Sequence, residues 1–210
     1  KWYFPLSRNQ RWSFLARLKM GYGNGYGDVD GIDQILPFTQ HFTAGGSDSL
    51  RGFENNTVGP RGLQVIPNQV VVDPNGNVIL GGSDSDSISI SGRSLGGNAM
   101  VVGGLELIVP TPFVEADFDN SVRTSIFIDA GNVWDTEFDY DRYKSLEQIK
   151  RYTDDNLIDY SDPTLYRASG GVSVQWLSPM GPMVFSFSKP IRKRDGDDSK
   201  FFTFNIGQTF

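Results

Sequence analysis

The chain has no cysteine, so a disulfide framework and a cysteine zinc site are both excluded, and the redox compartment stays open. Its single histidine, His41, has no ligand-type residue three or four positions away. General-base and zinc sites need a cluster or an orienting partner, so His41 is read as a loop histidine and no metal site is expected. A hydrolase would have to be built around that one histidine. We therefore expect no enzyme and no cofactor. An excess of basic residues is missing as well. With 19 Lys and Arg against 25 Asp and Glu the formal charge is −6, which excludes the basic surface a nucleic-acid binder needs to displace counterions. There is no apolar run of the roughly 18 residues that a spanning helix requires, and helical periodicity is scarce throughout.

What the chain does have is alternation. Hydrophobic residues make up 38% and aromatics 13% of its 210 residues, enough for a folded chain. From Trp12 to Tyr22 the even positions are Trp12, Phe14, Ala16, Leu18, Met20 and Tyr22, and the odd ones include Ser13, Leu15, Arg17 and Lys19. This period of two marks a strand with two different faces. Asn98 to Val109 sets Ala99, Val101, Leu105, Leu107 and Val109 against Asn98, Gly104 and Glu106, the latter interleaved with Met100, Val102 and Ile108. Val122 to Trp134 opposes Val122, Ile126 and Ile128 to Arg123, Ser125 and Asp129. Leu165 to Ser178, Met183 to Ile191 and Phe201 to Phe210 continue the scheme, and the opening Lys1 to Leu6 brings the number of expected strands to seven. Such strands place lipid-facing residues at every second position, so a transmembrane β-barrel is compatible with the low mean hydropathy of −0.32. A soluble β-sandwich also alternates, but the aromatics at segment ends favour the membrane.

The connections alternate short and long. Ser7 to Arg11 and Pro179 to Pro182 are short, Pro110 to Ser121 is intermediate, and Gly23 to Gly97 and Asp135 to Thr164 are long. That order follows the asymmetry between periplasmic turns and extracellular loops, which makes residues 23–97 a long extracellular loop. Within it, Val70-Val71-Val72 and Val78-Ile79-Leu80 flank Asp73-Pro74-Asn75-Gly76-Asn77 and predict a small hairpin. Ser145-Leu146-Glu147-Gln148 has capping-box spacing, and a short helix is expected over 145–152. The segments Asp28 to Asp33, Asp73 to Asn77 and Asp84 to Asp86 offer oxygen ligands but lack an ordered calcium loop, so turn chemistry explains them. Arg192-Lys193-Arg194 is either a solvated loop run or a contact for anionic lipopolysaccharide head groups.

One cluster has no evident structural purpose in a polar, glycine-rich loop: Ser49-Leu50-Arg51-Gly52-Phe53, followed by Val58-Gly59-Pro60-Arg61. Here the sequence resembles the family of outer-membrane barrel proteins that assemble or translocate other polypeptides. The motif looks like that family's Val-Arg-Gly-Phe signature, with Leu50 in place of Val. The resemblance extends in matching order through Gly96-Gly97-Asn98-Ala99, Ser121-Val122-Arg123-Thr124-Ser125, Gly131-Asn132-Val133-Trp134-Asp135, Ser178-Pro179-Met180-Gly181-Pro182 and the terminal Phe204-Asn205-Ile206-Gly207-Gln208-Thr209-Phe210.

This resemblance implies an all-β fold: residues 1–210 as the C-terminal portion of a sixteen-stranded antiparallel transmembrane barrel. Upstream parts, any signal peptide among them, are expected to precede Lys1. It implies an assembly factor that folds and inserts client outer-membrane proteins by strand capture at a barrel seam. Implied partners are those clients, accessory lipoproteins of the machinery, and outer-membrane lipid and lipopolysaccharide. Alternatives are a polypeptide-secretion pore of the same superfamily and a passive porin. Phe204 to Phe210 resembles a closing strand and β-signal, with Gly207 weakening it locally. Seven strands are too few for the smallest usual barrel of about eight, so an incomplete sheet is expected. Finally, Glu106 and Asp129 fall on the polar face of adjacent strands, where an unpaired charge is costly. Arg51 is expected to reach one or both, with Gly52 permitting the turn and Phe53 packing nearby.

Overall fold

The computed structural model describes residues 1–8, 11–29, 32–66, 70–72, 78–80, 87–111, 121–141 and 158–207. Seven strands form one antiparallel sheet: β1 (Trp2–Pro5), β2 (Ser13–Tyr22), β9 (Ala99–Val109), β10 (Val122–Trp134), β11 (Arg167–Ser178), β12 (Gly181–Arg192) and β13 (Phe202–Ile206), paired in that order. Among the described residues β1 and β13 each have one neighbour, so the sheet is open. The seven segments anticipated from alternation are the seven strands of the sheet. Their ends shift by a few residues where local turn chemistry takes over: β11 starts at Arg167, and the β11–β12 turn needs only Pro179 and Met180.

Register explains the two faces, because directly paired residues share a side. Phe14 sits opposite Leu107, Leu107 opposite Ile126, Ile126 opposite Val172, Val172 opposite Phe187 and Phe187 opposite Phe202. This outer row is apolar in every strand, and Leu105, Ile128, Trp176, Phe204 and Ile206 extend it while remaining exposed. A hydrocarbon surround satisfies such a face, as in transmembrane barrels. The inner face carries Leu15, Glu106, Ser125, Phe127, Asp129, Ser169, Ser173, Ser186 and Ser188, all buried. It is covered by the chain between β2 and β9.

That covering segment is more structured than a loop with one hairpin. The expected hairpin is present as β6 (Val70–Val72) against β7 (Val78–Leu80). Two further pairs were not anticipated: β3 (Asp28–Val29) with β4 (Ile32–Asp33), and β5 (Arg61–Ile66) with β8 (Ser87–Ser94). A short 3-10 turn spans Phe38–Gln40. The segment's anchor is an apolar cluster of Ala44, Leu50, Phe53 and Val58 from the loop with Met100, Val102 and Val133 from β9 and β10. The apolar residues interleaved on the polar face of β9 thus have a partner, which alternation within the strand had no means of naming. The helix expected over 145–152 and the acidic segments 73–77 and 84–86 lie outside the described residues.

Candidate functional site

Arg51 is the centre of the inner-face site. Its Nε donates to Asp129 Oδ2 at 2.7 Å and its Nη2 to Asp129 Oδ1 at 3.0 Å, a two-pronged bond that matches guanidinium to carboxylate geometry. The remaining Nη1 reaches Glu106 Oε2 at 3.1 Å. The Arg51 backbone N–H also donates to Asp129, at 3.3 Å. Its Cζ lies 3.4 Å from the centroid of the Phe127 ring, a cation–π contact in a site closed to water. Arg51 is 2% exposed, Glu106 2% and Asp129 0%, so all three charges are desolvated and depend on one another. Arg17 of β2 completes the cluster, with Nη2 at 2.7 Å from Asp129 Oδ2 and 3.2 Å from the Ser49 carbonyl. Two guanidinium and two carboxylate groups balance.

The local sequence makes room for this. Gly104 is paired opposite Asp129, and a Cβ there would collide with the Asp129 carboxylate and the Arg17 side chain. Gly171 is paired opposite Phe127, and its Cβ would come within 2.9 Å of the ring. Gly52 has φ +87°, in the left-handed region, with a would-be Cβ 3.0 Å from Ser169 Cβ. The Ser169 hydroxyl donates to the Arg51 carbonyl, which closes the turn from below. Leu50 and Phe53 flank the turn and are both fully buried.

The loop is held a second time. Phe53 forms a bridge with Ser199, the Glu54 N–H donates to the Asp198 carbonyl at 2.9 Å and the Lys200 N–H to the Gly52 carbonyl at 3.1 Å. The motif is therefore stitched to the β12–β13 connection just before β13. Behind this lies another ion cluster. Arg167 of β11 donates to Asp197 from Nε at 2.9 Å and Nη2 at 3.2 Å, and its Nη1 donates to Asn132 Oδ1 at 2.7 Å. Arg61 approaches Asp197 at 3.8 Å and donates to the Thr57 carbonyl. Buried Tyr160 lies close enough to this cluster to feel it. Burial pushes its phenol above the ordinary value of 10.0, although the Arg61 and Arg167 guanidinium groups pull the other way.

The structure thus brings together Leu50, Arg51, Gly52, Phe53, Glu106 and Asp129. Phe204 and Ile206 lie on the outer side of β13, Asn205 lines the same hollow as Arg17 and Arg51, and Gly207, at φ +82°, leaves the strand with its N–H donating to the Pro182 carbonyl at 2.8 Å. Gln208, Thr209 and Phe210 are outside the described residues. Missed from sequence were Arg17, Phe127, Arg61, Asn132, Arg167 and Asp197. Arg17 and Arg167 carried a signal, since each is a cation on the polar phase of a strand; Asp197, in a loop rich in aspartate, carried none.

An antiparallel sheet with an apolar outer row and a charged inner face capped by its own loop is the architecture of an outer-membrane β-barrel. A model of the Omp85 superfamily domain matches residues 1–210, and the chain belongs to that superfamily. It is 32% identical to outer membrane protein assembly factor BamA of Neisseria meningitidis over its whole length, covering 23% of that protein. It is 28% identical to BamA of Nitratidesulfovibrio vulgaris over 89% of the chain, covering 17% of that relative. A crystal structure of BamA from Haemophilus ducreyi lacking POTRA domains 1–3 superposes with a TM-score of 0.72 at 35% identity, over 96% of this chain and 32% of that one. The chain spans about a quarter or less of the curated relatives it matches.

Proposed function

We propose that this chain is the C-terminal part of the barrel of an outer-membrane protein assembly factor, which folds and inserts client outer-membrane proteins without bond chemistry. The observation that carries the reading is the motif loop, pinned through Arg51 to Asp129 and Glu106 of the inner face and joined by backbone hydrogen bonds to the connection leading into β13. In this reading residues 23–97 are extracellular, and the loop keeps the wall beneath the closing strand in a defined register. The strand β13 is short, with five residues, and is followed by Gly207 in a left-handed conformation. An edge with unsatisfied backbone groups is costly in lipid, so a client strand can be captured by edge pairing. Phe204 to Phe210 is the proposed seam and β-signal, with accessory lipoproteins as partners of the whole protein.

The test uses the full-length protein in proteoliposomes, scoring insertion of an unfolded outer-membrane barrel client by protease protection. Arg51→Ala is expected to reduce insertion at least severalfold while the variant keeps the heat-modifiable gel mobility of a formed barrel. Unchanged insertion would sink the role given to the loop. A large, ungated conductance with no client insertion would favour the porin or secretion-pore alternatives.

A further inference from the structure

We propose that the rim of the sheet at the end of β12 carries a binding site for a phosphorylated glycolipid headgroup of the lipid A type, held by Lys189, Arg192 and Lys193. It rests on the outer-membrane reading and on the long-connection end facing outward, and is independent of client assembly. Three observations converge on this spot. The pairing of β11 with β12 slips between Ala168 and Ser169, so that Lys189 pairs with Gly170 and Arg192 with Ala168. Gly170 and Ala168 both lie in the outer phase, opposite Ile128 and Ala130. The bulge therefore turns a second cation outward only three positions after the first, as bulges re-aim side chains.

Arg192 is then held in place by an aromatic: its Cζ lies 4.0 Å from the centroid of the Tyr166 ring. A flexible cation is thereby preorganised at the level where the apolar outer row ends. Beside it, Lys189, Ile191, Lys193 and Phe201 line an open hollow of about 610 Å³. Ile191 and Phe201 are 68% and 67% exposed, an apolar floor for acyl chain roots beneath the cationic rim.

The third observation is charge. The chain is net acidic, at −6, yet Lys189, Arg192 and Lys193 are in no ion pair among the described residues. In the connection that follows β12, Asp197 is turned inward, where Arg167 holds it. Arg194, which the sequence grouped with this run, is half-buried, and its backbone N–H donates to Asp197 at 2.8 Å. Unpaired cations at the edge of an apolar band match a ligand with phosphate above and hydrocarbon below. Of outer-leaflet lipids, a phosphorylated glycolipid carries its phosphates on a rigid sugar scaffold wide enough for more than one cation.

The experiment is native mass spectrometry of the full-length protein in detergent, titrated separately with bisphosphorylated lipid A, dephosphorylated lipid A and phosphatidylglycerol. The unmodified protein should retain bisphosphorylated lipid A at least about tenfold more tightly than either of the others, since it alone offers two phosphates on one scaffold to the three cations. Lys189→Ala/Arg192→Ala/Lys193→Ala should lose that preference with heat-modifiable mobility intact. Tyr166→Leu should weaken binding and Tyr166→Phe restore it, because the ring and not the hydroxyl holds Arg192. Equal binding of the dephosphorylated lipid or of phosphatidylglycerol by the unmodified protein overturns the proposal, as does a folded triple variant that binds lipid A like the parent.

Discussion

The two ion clusters on the inner face are built with opposite polarity. At the Arg51 cluster the cation comes from the loop and the carboxylates, Glu106 and Asp129, from strands. At the Arg167 cluster the strand supplies the cation and the loop supplies Asp197. The first fixes the chain between β2 and β9 to the wall and the second fixes the β12–β13 connection, and a loop displaced from one to the other would meet a like charge. The clusters also differ in balance. Arg17, Arg51, Glu106 and Asp129 cancel, whereas among the described residues Arg61 and Arg167 share the Asp197 carboxylate and lean also on neutral acceptors: Asn132 Oδ1, the Leu165 carbonyl at 3.1 Å and the Thr57 carbonyl. A cluster made of full charges should break harder when one member is removed, because a buried charge left without its counterion is what costs most.

Asp129 should show this most strongly. Replacing it with Ala leaves Arg17 and Arg51 to share Glu106 alone, and we expect a loss of about 3–5 kcal/mol in guanidinium unfolding of the detergent-solubilised protein. A loss below about 1 kcal/mol would mean the cluster behaves as a surface pair. Next comes Arg51→Ala, where Asp129 keeps Arg17 but Glu106 is stranded. About 2–3 kcal/mol of loop docking should be lost, read as faster amide exchange at Val58 and Glu54. Arg51→Lys should fall between, since an ammonium group cannot make the two-pronged bond.

Asp197→Asn tests the contrast directly. It keeps an acceptor for Arg167, so about 1–2 kcal/mol is expected, with exchange rising from Gly52 to Glu54 and from Asp197 to Lys200 while Arg51 stays protected. If the Arg51 amide loosens equally, the two clusters act as one unit; a double-mutant cycle with Arg51→Ala would give the coupling. Gly52→Ala should cost about 1–2 kcal/mol through its positive φ and the approach to Ser169. The smallest effect is the alkaline one. Tyr160 holds its proton more tightly folded than unfolded, so its contribution is complete below the ordinary value of 10.0 and is lost as pH rises through the raised one. Tyr160→Phe should remove that alkaline step from a stability profile followed between pH ~9 and ~12.

Much of the sheet was legible in the sequence because strand faces are a local property: the period of two assigned Glu106 and Asp129 to one face before any pairing was known. Register then turns that shared face into proximity, since Phe127 pairs with Glu106 and Asp129 with Gly104. Arg51 was legible for a different reason. Desolvation of two inner-face carboxylates asks for a cation, and it was the resemblance of Leu50-Arg51-Gly52-Phe53 to the family's signature that singled out Arg51. The Arg167 cluster was not legible, because its carboxylate sits among several aspartates of one loop and nothing local distinguishes Asp197 from Asp195 or Asp198.

The sequence by itself therefore determined the strands, their apolar outer row, and the need for a cation against the inner carboxylates, since each depends on side-chain alternation or on the cost of a lone buried charge. Only the tertiary structure decided that Arg17 would join Asp129, that Phe53 would lodge among Met100, Val102 and Val133, that β5 would pair with β8, and that Asp197 would be the residue turned inward. These contacts join residues far apart in the chain, and which of several chemically equal candidates makes them depends on how the loops pack together over the wall.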